Sequence, residues 1–264
     1  MRRWIVLAAA LLVLPAAGAV AQKRPAAKKP AVKRPAATKP APKLPAITPQ
    51  ELIDKHIEAT GGREAYEKLT STVMKGTLEV KAQGLSGTIE IYQKAPDKFL
   101  TVQSIGGVGE MRQGVDGETA WAKDPFTGVR TLEGVELATQ RRAARFNAIL
   151  HASELYDKME ITGQAMLDGR PQYVLKLTPK EGKPIVQWVD GKTFLITKTE
   201  MTTQGPQGEM TVVMRLMDYR PVDGVKVPFK TVGTMGGIVE LTITVTDVKN
   251  NVPIEDSLFA KPAS

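Results

Sequence analysis

Hydrophobic and polar residues follow two rhythms along this chain. From Val73 the period is two: Met74, Gly76, Leu78, Val80 and Ala82 alternate with Lys75, Thr77, Glu79, Lys81 and Gln83. Met210, Val212, Met214 and Leu216 repeat the pattern among mainly polar neighbours. Val239, Leu241, Ile243 and Val245 repeat it again, alternating with Glu240, Thr242, Thr244 and Thr246. Successive side chains on a strand point to opposite faces, so each run predicts a strand with one dry and one wet face. Asp-Gly pairs at 116–117, 168–169, 190–191 and 223–224 fall between such runs and predict hairpin turns. Pro96-Asp97, 179–184 and 205–208 supply further turns. The tally is about ten or eleven strands joined mostly by short turns, which calls for one large antiparallel sheet.

Helical rhythm governs two other stretches. Thr48, Pro49 and Glu51 form an N-cap, first-turn proline and capping box, and Leu52, Ile53, His56 and Ile57 follow as an apolar stripe ending at Gly61-Gly62. A second short helix is expected from Arg63 to Leu69. His56 lies on the apolar stripe, where a packed histidine is the expectation rather than a ligand. Between Glu133 and Lys158 the alternation lapses. Val135, Leu137, Ala138, Ala144, Phe146, Ile149, Leu150, Leu155 and Tyr156 predict two helices parted near Asn147 or His151, with Arg141, Arg142 and Arg145 on a polar face.

A sheet of this size with one apolar face must cover that face, and the helices available are few. The expected solution is a mainly β fold: a half-closed antiparallel barrel, with the N-terminal helix and the central helical insertion covering its mouth. Its filling is unusual. Met74, Met201, Met210, Met214, Met217 and Met235 fall in predicted strands, while aromatic residues make up 5% of the chain. Flexible thioethers suit a surface that adapts to variable apolar shapes, and they also fill gaps in a dry core.

Charge separates the chain into parts. The formal net charge is +8, yet ten basic residues and no acid precede residue 51, leaving 26 basic against 28 acidic residues beyond it. Residues 1–21 read as an export signal: Arg2 and Arg3, an apolar stretch from Ile5 to Leu14, and Ala19-Val20-Ala21 for cleavage after Ala21, placing the product in the periplasm. Residues 22–48 read as a disordered Lys/Pro/Ala-rich linker with Pro25, Pro30, Pro35, Pro40 and Pro45 in phase. Within it, residues 23–47 form an extended basic arm suited to an anionic envelope surface, or a plain spacer. The arm has no aromatic residue to stack on bases, so nucleic acid is not an expected partner. Residues 49–264 form the folded domain.

Composition also limits the chemistry. The chain has no Cys and two His, His56 and His151, which removes thiol nucleophiles, disulfides and Cys-ligated metals. Gly84-Leu85-Ser86-Gly87 does not have nucleophile-elbow spacing, and Gly106-Gly107-Val108-Gly109 lies between strands rather than opening a helix. Asp116 and Glu118 flank one glycine, as a solvated turn does. No cofactor or metal is implied. The reading is binding rather than catalysis, with a hydrolase of unrecognised site as the weakest rival.

Several features together resemble the LolA-like outer-membrane lipoprotein-sorting proteins, across about residues 50–262. They are helix-Gly-Gly followed by a strand containing Gly76, Ala95-Pro96-Asp97-Lys98-Phe99, and Asp116-Gly117 followed by Trp121 and Pro125-Phe126-Thr127-Gly128. The run from Asp218 to Pro228 is the most specific, and Asn251-Val252-Pro253-Ile254 with Phe259 and Pro262 completes the set. The resemblance implies an unclosed barrel enclosing an apolar cavity for acyl chains. It also implies a periplasmic carrier of lipoproteins or lipids between inner and outer membrane, with a donor and an acceptor protein. By strand parity, Leu78, Val80, Ile89, Ile91, Met210, Val212, Met214, Leu216, Leu241 and Ile243 would line that cavity, under a lid drawn from Val135 to Leu155. The rival is a non-catalytic envelope scaffold, dry-cored and tethered by its basic arm to peptidoglycan or lipopolysaccharide.

Overall fold

The computed structural model of the protein describes residues 43–205, 208–237 and 239–263. The export segment and the basic arm through residue 42 lie outside the described residues. Two helices open the domain, α1 (Pro49–Ala59) and α2 (Arg63–Glu67). Six strands follow: β1 (Ser71–Val80), β2 (Leu85–Lys94), β3 (Lys98–Ile105), β4 (Gly109–Asp116), β5 (Thr119–Asp124) and β6 (Gly128–Thr131). A crossover carries α3 (Gly134–Ala144), a 3-10 turn (Ala148–His151) and α4 (Ala152–Leu155). Seven more strands complete the sheet: β7 (Lys158–Leu167), β8 (Arg170–Thr178), β9 (Ile185–Asp190), β10 (Ile196–Gly205), β11 (Gly208–Val222), β12 (Val225–Met235) and β13 (Val239–Asn250).

All thirteen strands form one sheet in the order β6-β5-β4-β3-β2-β1-β13-β12-β11-β10-β9-β8-β7. The chain therefore starts at the centre of the sheet and meanders to one edge. It crosses through the helices to the opposite edge, then meanders back until β13 pairs with β1. The sheet is a half-open barrel whose two free edges, β6 and β7, are joined by the helical crossover rather than by hydrogen bonds. The strand count exceeds the ten or eleven expected, because pieces as short as β6, four residues long, show little alternation. Ala82, expected on β1, belongs instead to a 3-10 turn at Lys81–Gln83.

Local chemistry explains the framework. The Thr48 hydroxyl accepts from the Glu51 backbone at 3.2 Å, and the Glu51 carboxylate accepts from the Thr48 backbone at 2.6 Å, closing the expected capping box. Gly61 ends α1 at φ +133°, and an added Cβ would lie 2.1 Å from the Gly224 carbonyl, so that close approach demands glycine. The same junction is bonded from Lys226 N to the Thr60 carbonyl at 2.7 Å. Both residues of Asp168-Gly169 and of Asp223-Gly224 have positive φ, the twist that tight antiparallel hairpins require. Asn147, also at positive φ, parts α3 from the turn that follows it.

The outer face carries its own cluster. Leu100, Trp121, Ile254 and Phe259 are buried together where the C-terminal segment folds back, and the Trp121 indole donates to the Phe259 carbonyl at 2.8 Å. Residues 44–47 are also docked: Leu44 exchanges hydrogen bonds with the Gln164 side chain on edge strand β7, at 2.8 and 3.0 Å. Tyr173 Oη donates to the Pro45 carbonyl at 2.9 Å. The domain's contacts thus begin several residues before α1.

Candidate functional site

Cross-strand pairing defines the inner face of the half-barrel. Leu177, Ile185, Met201, Val212 and Met235 stand opposite one another across five strands, and a directly opposed pair points the same way. Helices cover two parts of this face. On one wall α1 buries Leu52, Ile53 and Ile57 against Tyr173, Leu175, Leu177 and Val189. On the other, Leu132 and Ala144, with Leu137, pack on Phe99, Val115, Ala120 and Ala122. The Arg130 guanidinium fixes the start of α3, donating twice to the Glu136 carboxylate at 2.6 and 2.9 Å.

The third part lies at the far end, where β1, β3 and β12 finish and β2, β4, β11 and β13 begin. Leu78, Val80, Ile89, Ile105, Met111, Val212, Met235 and Leu241 are buried there as one cluster. Leu85, Ile91, Val108, Met201, Met210, Met214, Val239 and Ile243 pack against it while remaining half-buried. No helical residue among the described ones belongs to this cluster. Nine of the ten residues named by strand parity are brought together here: Leu78, Val80, Ile89, Ile91, Met210, Val212, Met214, Leu241 and Ile243. Leu216 does not join it; it sits farther along β11, half-buried opposite Thr231. Met201, Met210, Met214 and Met235 are in the cluster, whereas Met74 and Met217 are not, and Met111 enters without having been singled out.

A concave pocket of about 200 Å³ opens at the opposite, helical end. Glu67, Leu69, Ala95, Pro96, Arg145, Phe146, Asn147, Leu150 and His151 line it, and none of the parity-named residues does. Arg145 lies 3.4 Å from His151 Nδ1 and 3.8 Å from the Glu154 carboxylate. The two arginines of α3 are engaged too, Arg141 with Glu118 at 2.6 Å and Arg142 over the Tyr156 ring. Burial of Arg142 holds its guanidinium below the usual arginine range, while burial raises Tyr156.

Polar groups on the inner face are few. His56 is 7% exposed, and its Nδ1 lies 2.8 Å from the Phe194 carbonyl. Burial pulls its pKa below the ordinary histidine value, against the carbonyl, which favours the proton. This is the packed histidine that the stripe predicted. At the β9–β10 turn, burial pushes Asp190 up, but the backbone N–H groups of Thr193 and Lys192 outweigh it and hold the carboxylate low. Among the described residues, no group of three or more His, Asp or Glu side chains is placed to hold a metal ion. Thr101 Oγ1, Gln103 Oε1, Gln187 Oε1 and Arg215 Nε are buried without a hydrogen-bond partner. No motif or periodicity in the sequence marks any of these four.

This architecture has solved counterparts. A LolA superfamily protein from Nitrosomonas europaea superposes with a TM-score of 0.56 at 15% identity, over 82% of this chain and 99% of that one. The fold is that of the LolA superfamily. A DUF1329 family protein from Desulfovibrio piger shares it, at a TM-score of 0.56 and 15% identity, over 80% of this chain and 96% of that one. A domain named for outer membrane lipoprotein sorting, from Vibrio parahaemolyticus, matches at 0.55 and 13% identity, over 81% and 97%. A family model described as "Uncharacterized protein" matches residues 151–263. No curated protein matches the sequence.

Proposed function

We propose that this protein binds acyl chains of a lipoprotein or lipid against the open apolar end of its half-barrel and carries them across an aqueous compartment. One observation carries the reading: the inner face at that end is apolar and rich in methionine, with half-buried residues such as Met201, Met210 and Met214 packed on a buried set and no helical cover among the described residues. An apolar surface of that kind is maintained at a cost in water unless something occupies it. Each methylene moved out of water is worth about 0.8 kcal/mol, so a sixteen-carbon chain supplies on the order of 10 kcal/mol before ordering costs. Such binding needs no polar signature, in keeping with the absence of enzyme motifs. The LolA-type fold and the name of the Vibrio counterpart support a carrier of this class. An export signal at residues 1–21 supports work in the periplasm, between an inner-membrane donor and an outer-membrane acceptor. The arm at 23–47 gives a means of holding the carrier near an anionic surface.

Displacement of a fluorescent fatty acid tests the proposal directly. The wild-type protein should take up the probe, and Met214→Glu, at a half-buried position, should weaken uptake by about tenfold or more. Organic extracts of protein purified from its native envelope should contain lipid. Empty protein together with no probe uptake would refute the reading.

A further inference from the structure

Two of the buried atoms without partners sit next to one another in the wall of the candidate site. Thr101 and Gln103 share the strand parity of Phe99 and Ile105 on β3, so all four point inward. Thr101 is 3% and Gln103 5% exposed, yet Thr101 Oγ1 and Gln103 Oε1 have no protein partner. Gln103 stands opposite Ile89 on one side and Met111 on the other, both members of the open apolar cluster. Thr101 stands opposite Ile91 and Gln113. The polar step therefore falls on the boundary between the open cluster and the cluster under α3, which holds Phe99 and Val115.

A buried acceptor without a donor destabilises the empty protein, and a native fold keeps one where something else satisfies it. We infer that Thr101 and Gln103 form a hydrogen-bonding step for the polar end of a bound acyl chain, selecting chains whose first polar group carries an N–H or O–H donor. This deepens the proposed function and rests on it. The glutamine oxygen accepts only, so it requires a donor from the ligand, while the threonine hydroxyl can donate to a carbonyl beside that donor. An N-acyl linkage offers both groups, and a 3-hydroxyacyl chain does likewise. A simple ester has no donor and leaves the Gln103 oxygen unmet. The methylenes beyond the polar group would lie along Ile89, Met111 and Ile105, in the cluster those residues belong to.

Three ligands of matched chain length separate the possibilities: methyl palmitate, N-methylpalmitamide and methyl 3-hydroxypalmitate, each displacing a fluorescent fatty acid from the full-length protein. The wild type should favour one or both donor-bearing ligands over methyl palmitate by about tenfold, and which one identifies the linkage. Gln103→Leu should abolish the preference, the donor-bearing ligands losing their advantage over methyl palmitate. Thr101→Val, closer in shape, should reduce the preference in the same direction, with circular dichroism showing that each variant is folded. Equal binding of all three ligands to the wild type would overturn the step and leave the carrier reading intact, as would a preference that survives both substitutions. No binding of any ligand would overturn the carrier reading and the step with it.

Discussion

Mild acid should weaken this fold through one side chain, His56. The imidazole is buried among the apolar residues of α1, and its Nδ1 faces the Phe194 carbonyl at 2.8 Å. Burial outweighs that contact and lowers the folded-state pKa below the unfolded value of about 6.5. Below that value the unfolded chain binds a proton that the folded protein resists, so stability falls as the pH drops and levels off once the folded histidine also titrates. Between about pH 7.5 and 5.5 the loss from this group is at most about 1.4 kcal/mol, the free energy of protonating the unfolded chain one unit below its pKa. For a domain of this size that is a fall in Tm of about 3–5 °C. Urea unfolding at the two pH values measures it, with His56→Gln as the reference. The glutamine amide can still donate to Phe194 but does not titrate, and the variant retains His151 and every carboxylate. Depressed carboxylates such as Glu90 and Asp256 contribute below this window, because they remain ionised in both states above about pH 5.5. The expected result is a pH-dependent loss in the wild type that is smaller in the variant. Equal losses in both would refute the assignment of the buried neutral histidine.

Two further substitutions probe the scaffold. Trp121→Phe removes the donor to the Phe259 carbonyl on the outer face, and an unmet buried carbonyl costs about 1–3 kcal/mol. Thermal unfolding should show that loss while acyl binding at the inner face stays within about twofold, since the two clusters occupy opposite faces. Arg130→Met breaks the paired contact with Glu136 at the start of α3, which is partly exposed and worth about 1 kcal/mol or less. Limited proteolysis should then cut faster within residues 132–157, with little change in Tm; an unchanged cleavage rate would show that the pair does not hold the crossover.

Much of this architecture is legible in local sequence, and particular residues show why. The capping box at Thr48 and Glu51, the Asp-Gly turns and the break at Asn147 depend on neighbours a few positions away, so the local order of residues announces them. Strand parity is a local property too, and it brought nine of ten named residues into one cluster. Leu216 illustrates the limit: parity assigns a face, but not how far along the strand the cluster extends. The same limit hid Thr101 and Gln103, which read in sequence as ordinary polar residues on a strand.

What the sequence by itself determined is the alternation, the turns, the helical insertion and the separation of a basic tail from a nearly neutral domain, all consequences of residues close together in the chain. Tertiary structure decided the rest. Pairing of β13 with β1 and the crossover from β6 to β7 join residues far apart in sequence, so they set which walls the helices cover and which end they leave uncovered. Burial of a glutamine oxygen without a donor is likewise a property of the assembled wall, because solvent access to one side chain depends on every strand around it.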